Sequence, residues 1–392
     1  MAARARGEVL IAGAGVIGLC TGLALRAAGR PVRVLEAHTI GSGSSHGNCG
    51  TITPSHAAPL AAPGAVAQAL RWMATPDAPF YVAPRLDPAL WAWMLHFASR
   101  CNRHDWRTAL AARAALLNAS RRAMPEWMAQ YELDCEFVET GVDYVFRTGA
   151  ALRHFDAEVD ALAAAGVVSE RIDGADYLGQ EPALRPGVVG AVRFPGDASL
   201  RPDVYVAGLA RALRAAGGEI EEGCAVGAIE ETATGVRVQS TCGVREGAEL
   251  VVASGAWSPV LARATGLAKV PVQPGKGYSI TYDRPALAPR RPVVLAERSV
   301  CVTAWPSGYR LGSTMELAGY DATLNRRRLD ALERGAAEYL HDPVGPVKHE
   351  EWYGWRPLTW DDLPLIGQAA GARHVWLATG HGMLGMSMGI GT

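Results

Sequence analysis

The sequence predicts an α/β protein of two domains, one of them a Rossmann-like dinucleotide-binding domain. Three observations predict it. Residues 9–36 read in order as strand, glycine turn, helix, strand and acid. At 392 residues the chain is too long for one simple core. Strand-like apolar runs and helical stretches then alternate along the rest of its length.

The opening stretch is VLIAGAGVIGLCTGLALRAAGRPVRVLE. The run Val9-Leu10-Ile11 leads into Gly13-Ala14-Gly15-Val16-Ile17-Gly18, a small-residue helix follows, and Val32 to Leu35 is closed by Glu36. Gly13 permits the tight turn, Gly15 lets a pyrophosphate approach the backbone, and Gly18 lets helix pack on strand. The helix N-terminus offers N–H groups and partial positive charge to phosphates. Glu36, about 20 residues past the turn, is placed to accept hydrogen bonds from both hydroxyls of an adenosine ribose. Its charge disfavours a 2′-phosphate. A glycine turn alone is weak, but here its strand, helix and acid are all present.

Composition narrows the class. Apolar residues make up 49% and charged residues 20%, which indicates a globular protein rather than a disordered one. The net charge of −1 gives no electrostatic reason to expect nucleic acid. No apolar run of ~18 residues is present, so no spanning helix is expected. Met1 to Glu8 lacks the apolar core of a secretion signal, which points to a cytoplasmic protein. The seven cysteines show no CxxC spacing and read as reduced, buried thiols. The ten histidines form no HxxxH or HExxH pattern, so no metal site is expected.

After Glu36, residues 37–51 form a long polar, glycine-rich loop that suits cofactor contact better than bare surface. Pro54 to Pro88 is proline-rich and reads as extended segments and turns. The group Leu90, Trp91, Trp93, Met94, Leu95 and Phe97 is apolar on more than one face and reads as a buried helix, with a peripheral membrane contact as the alternative. Further helices are predicted over Arg107–Tyr131, Ala151–Ala165, Pro202–Ala216 and Asn325–Leu340. Cys135 to Arg147 reads as strand, turn, strand. Strands are predicted over Glu219–Glu231, Val236–Ser240, Glu249–Ser254, Val272–Tyr282, Val293–Leu295, Val300–Trp305 and Tyr309–Gly312. The chain closes on VWLAT, another strand, and a glycine-dense run.

Several of these segments coincide with one family. GAGVIG…LE, SSHGNCGTITPSHAAPLAAPG, LVVASGAW, PVQPGKGYSIT, GWRPLTWDDLPLIG and TGHGMLGMSMG occur in the order and spacing of the FAD-dependent D-amino-acid oxidase superfamily. The chain resembles most closely its bacterial D-amino-acid dehydrogenase branch, over nearly its whole length. The resemblance implies a discontinuous FAD-binding domain (residues 1–55, 196–270 and 345–392) and a mixed-sheet substrate domain (56–195 and 271–344).

It also implies roles. Gly13, Gly15 and Gly18, with Val16 and Ile17, hold the pyrophosphate, and Glu36 with Ala37 the ribose. Ser44, Ser45 and Asn48 lie along the pyrophosphate and the flavin's inner edge, in a loop completed by Cys49, Gly50 and Thr51. Val226 holds the adenine through its backbone, and Gly255 and Ala256 pass near the cofactor. Gly380, His381, Gly382, Met383 and Leu384 lie against the pyrimidine end, a packed glycine turn being the alternative.

Arg356 matches the arginine that clamps a substrate carboxylate, the alternative being a structural ion pair with Asp361 or Asp362. Thr51 and Cys301 match substrate-facing positions of a related amine oxidase, with Cys301 in place of a tyrosine. Tyr278 and His56 are pocket or scaffold residues. Relatives with covalent flavin carry a cysteine where this chain has Gly354-Trp355-Arg356, so FAD is expected to be non-covalent. The family continues with a helix beyond the point where this sequence ends, Thr392.

The reading this supports is oxidation of a small D-amino acid, proline-like substrates included, by hydride transfer from Cα to flavin N5. Electrons would pass to a quinone or other acceptor, in the cytoplasm or at the inner face of the membrane. Two alternatives stand beside it: an oxygen-using glycine or sarcosine-type oxidase, and a flavin-binding subunit of a larger dehydrogenase.

Overall fold

Val9–Ala12 lies inside a six-stranded sheet that gathers strands from distant parts of the chain. Its order is Leu365–Gln368, Val375–Thr379, Glu249–Val252, Val9–Ala12, Val32–Leu35, Glu219–Glu221. All pairs are parallel except at the Leu365–Gln368 edge. The structure is a computed structural model that describes residues 7–73, 80–267 and 269–392. Residues 1–6 of the Met1–Glu8 stretch read for a secretion signal, and 74–79 of the proline-rich stretch, lie outside the described residues.

The short central strands are continuous apolar runs because both faces of this sheet are covered. Leu19 and Leu23 of helix Val16–Ala27 pack with Ile11, Val34, and Leu209 and Leu213 of helix Pro202–Ala215 in one buried cluster. The two helices touch where Gly22 leaves room: a Cβ there would lie 3.0 Å from Leu213 Cδ2.

A larger mixed sheet forms the second layer system. It runs from Phe80–Val82 through Met315–Leu317, Gln273–Tyr282, Gly308–Gly312 and Val300–Trp305. It continues through Val293–Leu295, Val142–Phe146 and Gly190–Phe194 to Glu170–Asp173. Lys348–Leu358 pairs antiparallel along Gln273–Tyr282, so this strand of residues 345–392 hydrogen-bonds into the large sheet. Helix Arg326–Tyr339 covers one face with Leu329, Leu332 and Ala336.

Four segments depart from expectation. Residues 135–141 are irregular apart from a bridge at Val138, and Glu136 (φ 54°) and Gly141 (φ 81°) take left-handed turns; only Val142–Phe146 is a strand. Glu219–Glu231 is broken at Gly223 (φ 67°), and Val226–Glu231 turns away into a separate three-stranded antiparallel sheet. Ala65–Met73 of the proline-rich stretch is a helix, because the apolar spacing of AVAQALRWM outweighs the flanking prolines. Helix Pro88–Arg100 is not buried all round: Leu90 and Trp93 face the core while Trp91 (56% exposed) and Leu95 (74%) face outward. Among the described residues no helix is long and apolar enough to cross a membrane.

Candidate active site

The glycine turn at the head of Val16–Ala27 opens one long cavity. Gly13 takes φ +114°, a conformation that L side chains avoid, and a Cβ on it would sit 2.6 Å from Ala253 O. Gly18 is locked against the turn, since its Cβ would lie 1.9 Å from Gly13 O. Gly15 is different: its missing Cβ would meet only Ser45 Oγ, at 3.4 Å, and leaves the floor of the cavity open.

Glu36 ends its strand beside this turn. Its Oε2 accepts from Ala14 N (2.7 Å) and its Oε1 from His38 N (3.0 Å). A carboxylate has about four lone-pair sites, so both oxygens keep capacity for a diol. The polar loop folds over the turn and is tied at several points. Val16 N donates to Ser45 Oγ (3.1 Å), Ser44 Oγ donates to Trp355 O, and Gly50 N donates to Asn48 Oδ1 (2.7 Å). Beneath it Arg310, 1% exposed, donates from Nη1 to His46 O (3.0 Å) and Asn48 O (2.7 Å).

The cavity has a volume of about 670 Å³ and runs unbroken from Glu36 and Val226 to Arg356. Gly13, Gly15, Val16, Ile17, Glu36, Ala37, Ser44, Ser45, Asn48 and Cys49 line it, as do Val226, Gly255, His381, Gly382, Met383 and Leu384. Thr51, His56, Tyr278, Cys301 and Arg356 line the far end. Four expected residues stand behind the wall. Gly18 packs on the turn; Gly50 (φ 74°) packs on Leu200 O; Ala256 O accepts from Tyr320 Oη (2.5 Å); and Gly380 (φ 81°) packs on Thr359.

At the far end Arg356 projects from Lys348–Leu358. Its Nη1 donates to Thr314 O at 2.7 Å, and among the described residues it has no carboxylate partner. The alternative of an ion pair with the neighbouring aspartates is not realised. Asp362 faces Arg113 Nη1 at 3.4 Å and accepts from Leu60 N, while Asp361 accepts from Leu363 N (3.2 Å). Burial lowers the Arg356 pKa, offset by Cys49 nearby. Ser313, on the wall at φ 107°, turns the chain into Thr314 and its receiving carbonyl. A serine in that region costs about 1–3 kcal/mol, a strain that collects at functional sites.

The other far-end groups are held. Tyr278 donates its hydroxyl to Glu316 Oε2 (3.0 Å). His56 Nδ1 lies 2.8 Å from Tyr144 Oη, and burial, with Arg113 adding, lowers its pKa to about 4, so the imidazole is neutral near pH 7. The sequence reading passes over Ser313 and Gly277, and names Trp355 only within the segment Gly354-Trp355-Arg356. Gly277 had a signal, as the small residue of the alternating PGKGYS. Away from the cavity, ligand-type atoms of Glu221, Cys224 and Cys242 fall within 4.8 Å of one another, but Arg33 and Arg245 already hold the Glu221 carboxylate.

The residues present fit FAD. The glycine turn leaves a pyrophosphate-sized approach at Gly15, Glu36 keeps free lone pairs for the ribose, and one continuous cavity joins both to a cationic far end.

Comparison with known proteins gives the same picture. The family model described as FAD dependent oxidoreductase matches residues 8–392. A D-amino acid dehydrogenase of Methylobacterium nodulans is 32% identical over 395 residues, covering 98% of this chain and 93% of that protein. Another, from Agrobacterium fabrum, is 33% identical over 406 residues with the same coverage. Among solved structures, glycine oxidase from Geobacillus kaustophilus superposes with a TM-score of 0.79 at 22% identity, over 98% of this chain and 92% of that one. L-proline dehydrogenase from P. horikoshii gives 0.72 at 17%, over 98% and 90%. At such identities these structures speak for the fold.

Proposed function

The chain belongs to the FAD-dependent oxidoreductase family, and on that premise we propose that it oxidises small, neutral D-amino acids as a dehydrogenase. Its cofactor is FAD, which supplies the two-electron acceptor for the substrate's Cα–H when bound. The observation that carries the substrate reading is Arg356. It is a cavity-facing guanidinium with one backbone acceptor and, among the described residues, no carboxylate partner.

Each group then has a task. Arg356 takes the α-carboxylate through two parallel donors and fixes the substrate's register, a geometry that lysine does not reproduce. Among the described residues lining the cavity the one carboxylate is Glu36, at the opposite end, so no carboxylate competes for Arg356. Neutral His56 and the uncharged Thr51, Tyr278 and Cys301 offer no partner to a charged side chain, which favours small neutral substrates, proline-like ones included. Glu36 and the turn at Gly13–Gly18 anchor the ADP half of the cofactor. The strand Val226–Glu231 and the run at Gly380–Leu384 flank its two ends.

We assign 1–55, 196–270 and 345–392 to FAD binding and 56–195 and 271–344 to substrate binding, with the strand Lys348–Leu358 joining the two. The acceptor we propose is a quinone or another carrier. The reaction is placed in the cytoplasm or at the inner face of the membrane, where exposed Trp91 and Leu95 offer an apolar contact.

The test is anaerobic mixing of the yellow holoenzyme with D- and L-amino acids, both prolines, glycine and sarcosine, while the visible flavin band is followed. Bleaching by D-acids supports the proposal. Bleaching by glycine or sarcosine alone, or by nothing, overturns it in favour of an amine oxidase or a non-catalytic subunit.

A further inference from the structure

At the far end of the cavity two cysteines approach from different parts of the chain. Cys49 closes the polar loop, and Cys301 sits on the strand Val300–Trp305; both line the cavity. Cys301 is the cross-strand partner of Gly312. The missing side chain of Gly312 is what admits Cys49, since a Cβ there would lie 2.6 Å from its Sγ. The Cys49 sulfur therefore sits where a side chain of Gly312 would stand, directly across the strand pair from Cys301. Directly opposed residues of adjacent strands have Cβ atoms about 4.5–5.5 Å apart, so a sulfur in the place of the Gly312 side chain lies within side-chain reach of Cys301.

The surroundings divide the labour between the two. Interaction with the Cys301 thiol and with the cations of Arg310 and Arg356 lowers the Cys49 pKa against the opposing effect of burial. The Cys301 thiol is raised well above its usual range by its interaction with Cys49 and by burial. Cys49 is half-buried and reachable from the cavity, whereas Cys301 is 7% exposed. An accessible cysteine with a lowered pKa beside a buried thiol partner is the arrangement of an oxidisable pair.

We propose that Cys49 and Cys301 form a peroxide-reactive thiol pair that closes reversibly into a disulfide beside Arg356. The Cys49 thiolate attacks one oxygen of a hydroperoxide such as hydrogen peroxide. The S–O bond forms, the O–O bond breaks, and the departing hydroxide is protonated to water. Cys301 Sγ then attacks the resulting sulfenic sulfur; the S–S bond forms and water leaves with the Cys301 proton. Overall two thiols lose two electrons and one peroxide becomes two waters. The site goes beyond the amino-acid reaction and does not depend on which substrate is used.

The experiment is a non-reducing peptide map of the holoenzyme after treatment with hydrogen peroxide at one equivalent, with and without later dithiothreitol. The expected result is a peptide pair linked through Cys49 and Cys301, two mass units lighter than the reduced pair and lost on reduction. In Cys301→Ser the expected product is a dimedone adduct on Cys49. Cys224 and Cys242, which also lie close together, serve as the internal comparison. A map in which Cys49 and Cys301 stay reduced, or in which only Cys224 and Cys242 are linked, overturns the proposal. The wild-type map decides it even where the serine variant does not fold.

Discussion

The guanidinium of Arg356 occupies the space that Gly277 leaves by having no side chain: a Cβ on Gly277 would lie 2.4 Å from Arg356 Cζ. The two residues are diagonal neighbours across the strands Gln273–Tyr282 and Lys348–Leu358, where Gly275 pairs with Arg356 and Gly277 with Gly354. The cation is thus laid along the sheet toward the cavity by a glycine on the next strand.

Two substitutions test that relationship. Arg356→Lys keeps the charge and loses the fork, so kcat/KM should fall by roughly 10²–10³-fold, about 3–4 kcal/mol. Gly277→Ala leaves Arg356 intact but displaces it, and should raise KM at least tenfold while the flavin spectrum is unchanged. Steady-state kinetics with wild-type values for Gly277→Ala would refute the placement.

Glu36 should govern cofactor retention. Its two backbone bonds already orient the carboxylate, and a hydrogen bond to a charged group contributes about 1.5–3 kcal/mol. Glu36→Ala is expected to raise the Kd for FAD by roughly 10–100-fold. Fluorescence titration of the apoprotein with FAD measures it.

Arg113 and Asp362 have 5% and 6% exposed side chains, and Arg113 also donates to His56 O at 3.0 Å. Removing one partner leaves the other charge buried, so Arg113→Met should destabilise by about 3–5 kcal/mol. Arg113→Met/Asp362→Asn should recover part of that loss, because the amide oxygen can still accept from Leu60 N. Denaturant unfolding of both variants at saturating FAD is the check.

Stability should fall in acid through two histidines. Burial lowers the His381 pKa to about 3, and burial with Arg113 lowers that of His56 to about 4, from an ordinary 6.5. Between those values and 6.5 the unfolded chain binds protons that the folded chain does not. Their stabilising contribution is therefore complete above about pH 6.5 and is lost as pH falls toward 4 and then 3. Burial raises the Glu158 and Asp197 carboxyls to about 7, which opposes this slope, so the check is relative: wild type should lose stability against His381→Gln as unfolding midpoints are followed from pH 7 to 4.

What the sequence by itself determined was the part of the protein whose contacts are local. Gly13, Gly15, Gly18 and Glu36 lie in one 28-residue strand–helix–strand unit, where spacing alone brings turn, helix terminus and acid together. The family resemblance added Arg356 and the glycine run at Gly380–Leu384. The tertiary structure decided everything that depends on which strand lies beside which. Gly277 is 79 positions from Arg356, Gly312 faces Cys301 across a hairpin, and Cys49 reaches both through a loop pinned by Arg310. The break of Glu219–Glu231 into two sheets and the outward face of Pro88–Arg100 belong to the same class. Periodicity reports the face a residue presents, but the neighbour that face meets is fixed by strand register, which short-range pattern does not encode.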